Sequence, residues 1–224
     1  MNINKKSYLN DYLPFFKDLS EEEQILIDRA SHIEEYELGQ IIYSKQKACS
    51  GIILVIKGQL RSFMSSLSGK EITLFRLFQN DLCILSSSCV YQNLTYDINL
   101  QAEENTVLLV IDGILFKQVL DKNINVQKFM LEITQSKLSE IMWVLEQVVF
   151  FSLEYRLADY ILNQYYTKNA LQIYITHEMI AKDLGSSREV ISRMLKRFEK
   201  DQLVHMGRGY IKIIDIKGLK LLCK

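Results

Sequence analysis

The sequence lacks the patterns that identify membrane, secreted and metal-finger proteins. No apolar run approaches the roughly 20 residues needed to span a bilayer. Lys5-Lys6 precedes a mixed amphipathic stretch instead of the apolar core of a signal peptide. The cysteines form neither a CxxC pair nor a zinc-finger spacing; they are Cys49, Cys83, Cys89 and Cys223. We therefore expect a cytoplasmic protein with reduced thiols.

The chain also lacks a catalytic motif and a net charge. It contains no recognisable nucleophile–base pair, phosphate-binding glycine loop or metal cluster, so we expect no enzymatic activity. The formal net charge is zero, but it is unevenly distributed. Residues 152–224 contain 13 Lys+Arg and 8 Asp+Glu, a balance of +5, and residues 1–151 contain the other 14 and 19, a balance of −5. This asymmetry suits a chain that touches phosphates only with its C-terminal part.

The segment from Ile175 to Asp215 has the pattern of a helix-turn-helix followed by a wing. Thr176 is suited to cap a first helix, predicted at 177–184, and Gly185 ends it. A second helix is predicted from Ser186 to about Lys200. Behind it, residues 203–213 alternate in polarity around a Gly-Arg-Gly turn, which predicts a hairpin.

The second helix has two distinct faces. The apolar face has helical spacing and consists of Val190, Ile191, Met194, Leu195 and Phe198. The other face consists of Glu189, Ser192, Arg193 and Lys196, with Arg188 at its edge. Arg can donate two bonds to guanine and Glu can accept from cytosine, so this face predicts entry into a DNA major groove. Two simpler interpretations stay open: Ser186 and Glu189 form a capping box, and Arg193 is an ordinary surface charge.

The front part of the chain predicts a β-roll. Short helices are expected over residues 7–33, with a capping box at Ser20–Glu23. Short strands separated by turns follow, and this pattern favours a double-sheet roll of jelly-roll type within an α+β fold. The predicted strands are 40–43, 51–56, 59–64, 71–77, 98–102 and 106–111.

A long helix is predicted from about Asn125 to Val149. One row of its residues is spaced 3, 4, 3, 4, 3, as in the seam of a coiled coil: Leu131, Thr134, Leu138, Ile141, Leu145 and Val148. We expect a parallel homodimer, although a helix packed on its own roll would show the same period. Trp143, off the seam, is expected to pack against the roll or the next helix. With a hinge at 150–152, the predicted domains are 1–120, 121–150 and 151–224.

Motifs along nearly the whole chain resemble those of the Crp/Fnr transcription regulators, which include the cyclic-AMP receptor protein. In the C-terminal part these are Ile175-Thr176, Ile180-Ala181, Leu184-Gly185, Ser187-Arg188-Glu189, Ser192-Arg193 and Leu203. Upstream they are Leu13-Pro14-Phe15-Phe16, Leu19-Ser20, Gly39-x-x-Ile42-Tyr43, Gly51-Ile52-x-Leu54-Val55 and Gly58-x-Leu60-Arg61. The resemblance implies a cyclic-nucleotide-binding-like roll, a dimerisation helix and a winged helix-turn-helix.

The resemblance also implies partners and residue roles. Glu189, Ser192 and Arg193 match the Glu-x-x-Ser-Arg of the anaerobic-regulator branch, and Arg188 matches the cyclic-AMP branch. We expect Arg193 to contact a guanine and Glu189 a cytosine in TGA-like half-sites of a two-fold site. RNA polymerase is the implied protein partner. The expected phosphate contacts are Thr176, Ser187, Lys196 and Arg208.

The signal is less defined than the DNA contact. The segment that matches the cyclic-nucleotide cassette, residues 80–89, has no Gly-Glu, and no Lys or Arg lies between Arg76 and Lys117, so cyclic AMP is disfavoured. An iron–sulfur cluster of the anaerobic-regulator type is also disfavoured because the first cysteine is Cys49. Several alternatives stay open for the signal. They are haem bound by a cysteine, by His32 or by a methionine, a thiol switch, a small organic ligand, and no ligand at all. The candidate sensor residues are Cys83, Ser86, Ser87, Ser88 and Cys89.

Two other functions fit the same residues. One is a ligand-binding regulatory subunit whose C-terminal domain docks on a protein. The other is a DNA-binding regulator without an effector, whose output follows its abundance.

Overall fold

The computed structural model describes residues 5–44, 51–84 and 98–224. The chain forms two compact units. The first comprises Met1–Met64 and Leu74–Ile141, and the second comprises Ser65–Thr73 and Met142–Lys224. In the described ranges, no helix combines the length and the apolar character needed to cross a membrane.

The first unit is built on two antiparallel four-stranded sheets, as far as the described residues show. Their strands are β1 (Ser31–Tyr36), β2 (Ile41–Tyr43), β3 (Ile52–Lys57), β4 (Leu60–Ser65), β5 (Glu71–Leu77), β6 (Leu82–Cys83), β7 (Asn99–Ala102) and β8 (Thr106–Ile111). One sheet has the order β1-β8-β3-β6 and the other β2-β7-β4-β5. The predicted β-roll is confirmed, and each of the six predicted strands is present within one or two residues.

The start of the roll differs from the sequence prediction. The predicted helices are α1 (Lys5–Tyr12), a 3-10 helix (Pro14–Asp18) and α2 (Glu21–Ala30), and the capping box between Ser20 and Glu23 is present. The helical region was expected to reach Ile33, but α2 ends at Ala30. The Ser31 hydroxyl donates to the Ile27 carbonyl at 2.6 Å, and Ser31 then pairs with Ile111 as the first residue of β1. The β8 strand, about 75 residues away in the sequence, decides this boundary.

The core of the first unit lies between the helices and one face of the β1-β8-β3-β6 sheet. The sheet contributes Ile52, Leu54, Ile56, Leu109 and Ile111, among others. The helical side includes Phe16, Ile27, Phe116 and Met130, the last two from α3 (Gly113–Leu120) and α4 (Ile124–Phe150). Since β3 is buried on both faces, its sequence is a continuous apolar run instead of an alternating one.

The second unit has its own apolar core. Its further elements are α5 (Leu153–Lys168), β9 (Gln172–Tyr174), α6 (His177–Leu184), α7 (Arg188–Lys200), β10 (Val204–Gly207), β11 (Tyr210–Ile213) and α8 (Ile216–Leu222). The buried side chains include Leu157, Ile161, Ile180, Ile191, Leu195, Phe198, Ile211 and Leu219. Helices α5, α6, α7 and α8 and the sheet β10-β11-β9 therefore share one core.

Helix α4 presents a row of apolar side chains to solvent. Leu131, Leu138, Leu145 and Val148 are exposed, and Thr134 and Ile141 are half-buried. The Thr134 hydroxyl donates to the Met130 carbonyl at 2.7 Å, so this polar member of the row is satisfied within its own helix. The expectation that Trp143 packs against its own chain is wrong, because 54% of its surface is exposed.

The predicted break after α4 is present. Helix α4 ends at Phe150, and Ser152 caps α5 by accepting a hydrogen bond from the Tyr155 backbone N–H at 3.1 Å. The Phe151 and Tyr155 rings stack with centroids 4.3 Å apart across this junction. A serine cap and a local aromatic pair are short-range features, which is why the sequence was sufficient to locate the break.

Candidate nucleic-acid interface

The first helix of the helix-turn-helix forms as predicted. The Thr176 hydroxyl oxygen accepts a hydrogen bond from the Met179 backbone N–H at 3.2 Å, and α6 runs from His177 to Leu184. Gly185 has φ +66°, the left-handed conformation that only glycine adopts cheaply, and its N–H donates to the Ala181 carbonyl. Local residues at the two ends of α6 therefore account for its start and for its left-handed end.

The second helix begins two residues later than predicted. Ser187, and not Ser186, is the N-cap; its hydroxyl oxygen accepts from the Val190 N–H at 3.4 Å, and α7 runs from Arg188 to Lys200. In this register the third helical position is Val190, which has no carboxylate to complete a capping box. The proposed Ser186–Glu189 capping box is therefore not the arrangement in the structure.

The Glu189 carboxylate lies at the exposed start of α7. Hydrogen bonds from its own backbone N–H and from the Ser187 hydroxyl, together with the positive charges of Arg188 and Arg193, hold the pKa of Glu189 below its ordinary value. The side chain is therefore an ionised acceptor at neutral pH.

The two faces of α7 are separated as the periodicity predicted. Ile191, Leu195 and Phe198 are buried, and Val190 and Met194 are half-buried. On the other side Arg188, Glu189, Arg193 and Lys196 are exposed, and Ser192 is half-buried. A helix that is anchored on one side and presents a carboxylate and two or three cations on the other matches the geometry of a recognition helix.

Helix α5 holds the end of α6 in place. An Arg156 guanidinium nitrogen donates to the Leu184 carbonyl at 2.9 Å, and the Tyr160 hydroxyl donates to the Asp183 carboxylate at 2.7 Å. Burial lowers the pKa of Arg156 below its ordinary value. A cation at a helix C-terminus also offsets the negative end of the helix dipole. These contacts join segments more than 20 residues apart, so no local pattern in the sequence indicates them.

The wing is a three-stranded sheet with an exposed turn. Strands β10 and β11 form the predicted hairpin, and β9, which was not predicted, pairs with β11. The Tyr210 ring lies over Gly207, where a Cβ atom would be only 2.0 Å from the ring. The turn places Arg208 in solvent, and the Gly209 carbonyl accepts from the Ile175 N–H at 3.2 Å, next to the α6 cap.

The four candidate phosphate contacts are at two kinds of position. Thr176 and Ser187 are the N-caps of α6 and α7, where unpaired backbone N–H groups and the helix dipole favour an anion. Their oxygens already accept from backbone N–H groups. The Thr176 hydroxyl proton is left to donate, whereas that of Ser187 is directed to the Glu189 carboxylate. Lys196 and Arg208 are exposed cations on α7 and on the wing turn. These four phosphate contacts stay predictions.

Most candidate sensor residues lie outside the described residues. Ser86, Ser87, Ser88 and Cys89 belong to this group. Cys83 is fully buried in β6. The cation nearest in sequence, Arg76, pairs with Glu103 through two contacts, of 2.7 Å from Nε and 2.9 Å from a terminal guanidinium nitrogen. Its charge is thus already compensated within the roll.

Two of the candidate haem ligands are too far apart to bind one iron. In the β1-β8-β3-β6 sheet, Cys83 lies opposite Ile53, Ile53 opposite Val110, and Val110 opposite His32. Three strand spacings, about 14 Å, separate the backbones of His32 and Cys83. Paired residues project from the same face of a sheet, so the side chains of Ile53 and Val110 stand between the two candidate ligands. His32 is instead paired with Glu34 at 2.9 Å.

Comparison with known proteins covers both units. The family model of the Crp-like helix-turn-helix domain matches residues 155–222, and that of the cyclic nucleotide-binding domain matches residues 33–123. The chain is 36% identical to a transcriptional regulator of the Crp/Fnr family from Eubacterium rectale, over 96% of this chain and 99% of that chain, with a TM-score of 0.87.

Two further relatives are regulators. The chain is 22% identical over 217 residues to the transcriptional regulator flp of Lacticaseibacillus casei, which covers 93% of this chain and 94% of flp. It is 24% identical over 217 residues to the anaerobic regulatory protein of Haemophilus influenzae, which covers 92% of this chain and 82% of that protein.

Proposed function

This chain belongs to the Crp/Fnr family, whose members are transcription regulators and not enzymes, and we propose that it acts as a cytoplasmic homodimer on two-fold DNA sites. It carries the family's DNA-binding helix-turn-helix. Each half-site is proposed to have a TGA-like core. The observation that carries the proposal is the exposed Glu189–Arg193 pair on α7, on the opposite face of the helix from the buried Ile191 and Leu195.

Arg193 and Glu189 are proposed to contact base edges. They are four residues apart, hence one helical turn apart on the same face of α7. A guanidinium can donate two hydrogen bonds to O6 and N7 of guanine, and an ionised carboxylate can accept from N4 of cytosine. Arg188 and Ser192 flank this pair.

The homodimer is proposed from the exposed row on α4. Leu131, Leu138 and Leu145 are 58%, 56% and 50% exposed and recur every seven residues. A contiguous apolar row of this kind on a soluble helix usually marks an interface, and heptad spacing suits a parallel pair of helices. Two copies would present two α7 helices to half-sites about one helical turn apart. RNA polymerase is proposed as the protein partner on family membership alone.

Arg193→Ala is expected to weaken binding to the cognate site by about 1–3 kcal/mol and to relax discrimination at one base pair. Lys196→Ala is the matched control, one helical turn away on the same face and also exposed. It should weaken all sequences about equally and reduce the salt slope by about one. Fluorescence anisotropy with point-substituted half-sites at several salt concentrations measures both effects.

Two results would contradict the assignment. Unchanged discrimination at every position in Arg193→Ala would exclude the proposed base contact. Binding that does not fall steeply between about 50 and 200 mM salt would favour the alternative in which the C-terminal domain docks on a protein.

The signal is proposed to be something other than a cyclic nucleotide. A buried phosphate without a cation would cost roughly several kcal/mol. Arg76, the nearest cation before the cassette, is held by Glu103, and the next one in the sequence is Lys117. The match to a cyclic nucleotide-binding domain concerns the roll as a fold and is compatible with a different ligand or with none.

Cyclic AMP is therefore expected to leave the DNA affinity of the purified dimer unchanged. The same preparation, purified without oxygen, should be examined by absorption spectroscopy with and without added haem. A Soret band would identify haem as the cofactor. Its absence would direct the search to small organic ligands, and equal binding with and without cell extract would favour an effector-free regulator. A cyclic-AMP-dependent rise in DNA affinity would refute the proposal about the signal.

A further inference from the structure

The Glu199 carboxylate joins the recognition helix to the wing. Glu199 lies near the C-terminal end of α7, and its Oε1 atom accepts a hydrogen bond from the Met206 backbone N–H at 2.8 Å. The same oxygen lies 3.2 Å from Nδ1 of His205. One carboxylate oxygen thus contacts two consecutive residues of β10.

Met206 needs this partner because β10 is the edge strand of the wing sheet. Gly207 and Tyr210 flank the two-residue turn and pair with each other, so Met206 and Ile211 form the next pair, in which the backbone groups point away from the partner strand. The Met206 N–H therefore points off the sheet edge, and Glu199 takes the place of a missing neighbouring strand.

The connection between α7 and β10 is also tight. The Leu203 N–H donates to the Phe198 carbonyl at 2.9 Å and the Gln202 N–H donates to the Glu199 carbonyl at 3.0 Å. Gln202 has φ +59°, so the helix ends in a Schellman motif with glutamine at the position that glycine usually occupies. This turn sets where β10 begins. The Glu199 side chain then holds β10 against the helix at Met206, three residues after Leu203.

We propose that Glu199 is a positioning residue that sets the distance between the base-contacting face of α7 and the cation of the wing, Arg208. Arg208 follows Met206 by two residues. The inference rests on the proposed function, because it requires Arg208 to contact a DNA phosphate. Without the Glu199 contact the hairpin can move relative to α7, and ordering it on DNA costs conformational entropy that offsets the phosphate contact.

A double-mutant cycle tests the proposal with the full-length protein and its cognate DNA. Arg208→Ala in the wild type is expected to lower affinity several-fold and to reduce the salt slope by about one. In the Glu199→Ala background, Arg208→Ala should have almost no further effect. Arg193→Ala should cost the same in both backgrounds. Glu199→Gln, which keeps an oxygen acceptor for Met206, should restore the effect of Arg208→Ala.

The outcomes separate this inference from the proposed function. If Arg208→Ala costs the same in both backgrounds, or costs nothing in the wild type while Arg193→Ala keeps its cost, the inference is overturned and DNA binding through α7 stands. If neither Arg208→Ala nor Arg193→Ala lowers the affinity for DNA, the proposed function itself fails. Amide hydrogen exchange of the wild type gives a test that does not depend on the folding of Glu199→Ala: the Met206 N–H should be protected, and rapid exchange there overturns the inference.

Discussion

Replacing Leu138 and Leu145 together by glutamate is expected to convert the protein to a monomer and to lower its affinity for a two-fold site by about 10²–10⁴-fold. That range is the usual gain from joining two binding modules. Both leucines lie in the exposed row of α4, two helical turns apart. In a parallel dimer each glutamate would face its own copy across the seam, so burial and like-charge repulsion act together.

Sedimentation and DNA-binding titrations measure the two parts of this prediction separately. Trp143→Glu is the matched control, because Trp143 is similarly exposed, at 54%, but lies on the opposite side of α4 from the row. It should leave the dimer and its DNA affinity nearly unchanged. A Leu138→Glu/Leu145→Glu protein that stays dimeric would show that the row is not the interface. A monomeric variant with wild-type affinity would show that DNA binding does not need two copies.

Phe198→Ala is expected to lower the free energy of unfolding of the second unit by about 3–5 kcal/mol. Phe198 is 1% exposed and lies in the core shared by α5, α6, α7 and the wing. Removal of its ring leaves a cavity directly behind the exposed face of α7. Since domains are typically stable by only about 5–15 kcal/mol, this loss is a large fraction of the stability of the unit, and DNA binding should weaken as the unfolded fraction of the unit rises.

Calorimetry can assign the loss to the correct unit. The first unit has a separate core, so its transition should stay in place while that of the second unit moves to lower temperature. Arg197→Ala is the control: Arg197 precedes Phe198 in α7, is 65% exposed at its side chain and forms only surface ion pairs with Glu154 and Asp201. Its cost should be below about 1 kcal/mol. If Phe198→Ala lowered the free energy of unfolding by no more than Arg197→Ala does, the cavity argument would be contradicted.

Local signals located most of the DNA-binding unit from the sequence. The cap at Thr176, the left-handed Gly185 and the buried row along α7 were all predicted, because each depends on residues within about one or two helical turns. The start of α7 was predicted at Ser186, two residues too early, because Ser186 and Ser187 are equally good caps by residue type. Which of the two serines caps the helix depends on the direction that the chain takes after Gly185, whose backbone is left-handed.

Short strands and long-range contacts could not be predicted in the same way. The β9 strand has only three residues, too few to show a period of two, and it becomes a strand only by pairing with β11. Trp143 was expected to face the roll or the next helix because it lies off the heptad row, but the described part of its own chain leaves 54% of it exposed. The candidate sensor residues from Ser86 to Cys89 lie outside the described residues, so their predicted role stays a prediction.

The amino-acid sequence alone determined most of the element order, the caps at Ser20, Ser152 and Thr176, the recognition-helix face and the heptad row on α4. These depend on hydrogen bonds and side-chain spacings within a few residues, which the chain carries in any context. Only the tertiary structure decided that Glu199 holds the edge of the wing, that Glu103 neutralises Arg76 and that His32 is three strands away from Cys83. Those relations arise when segments pair across the fold, and strand order and register are set by the packing of a whole core.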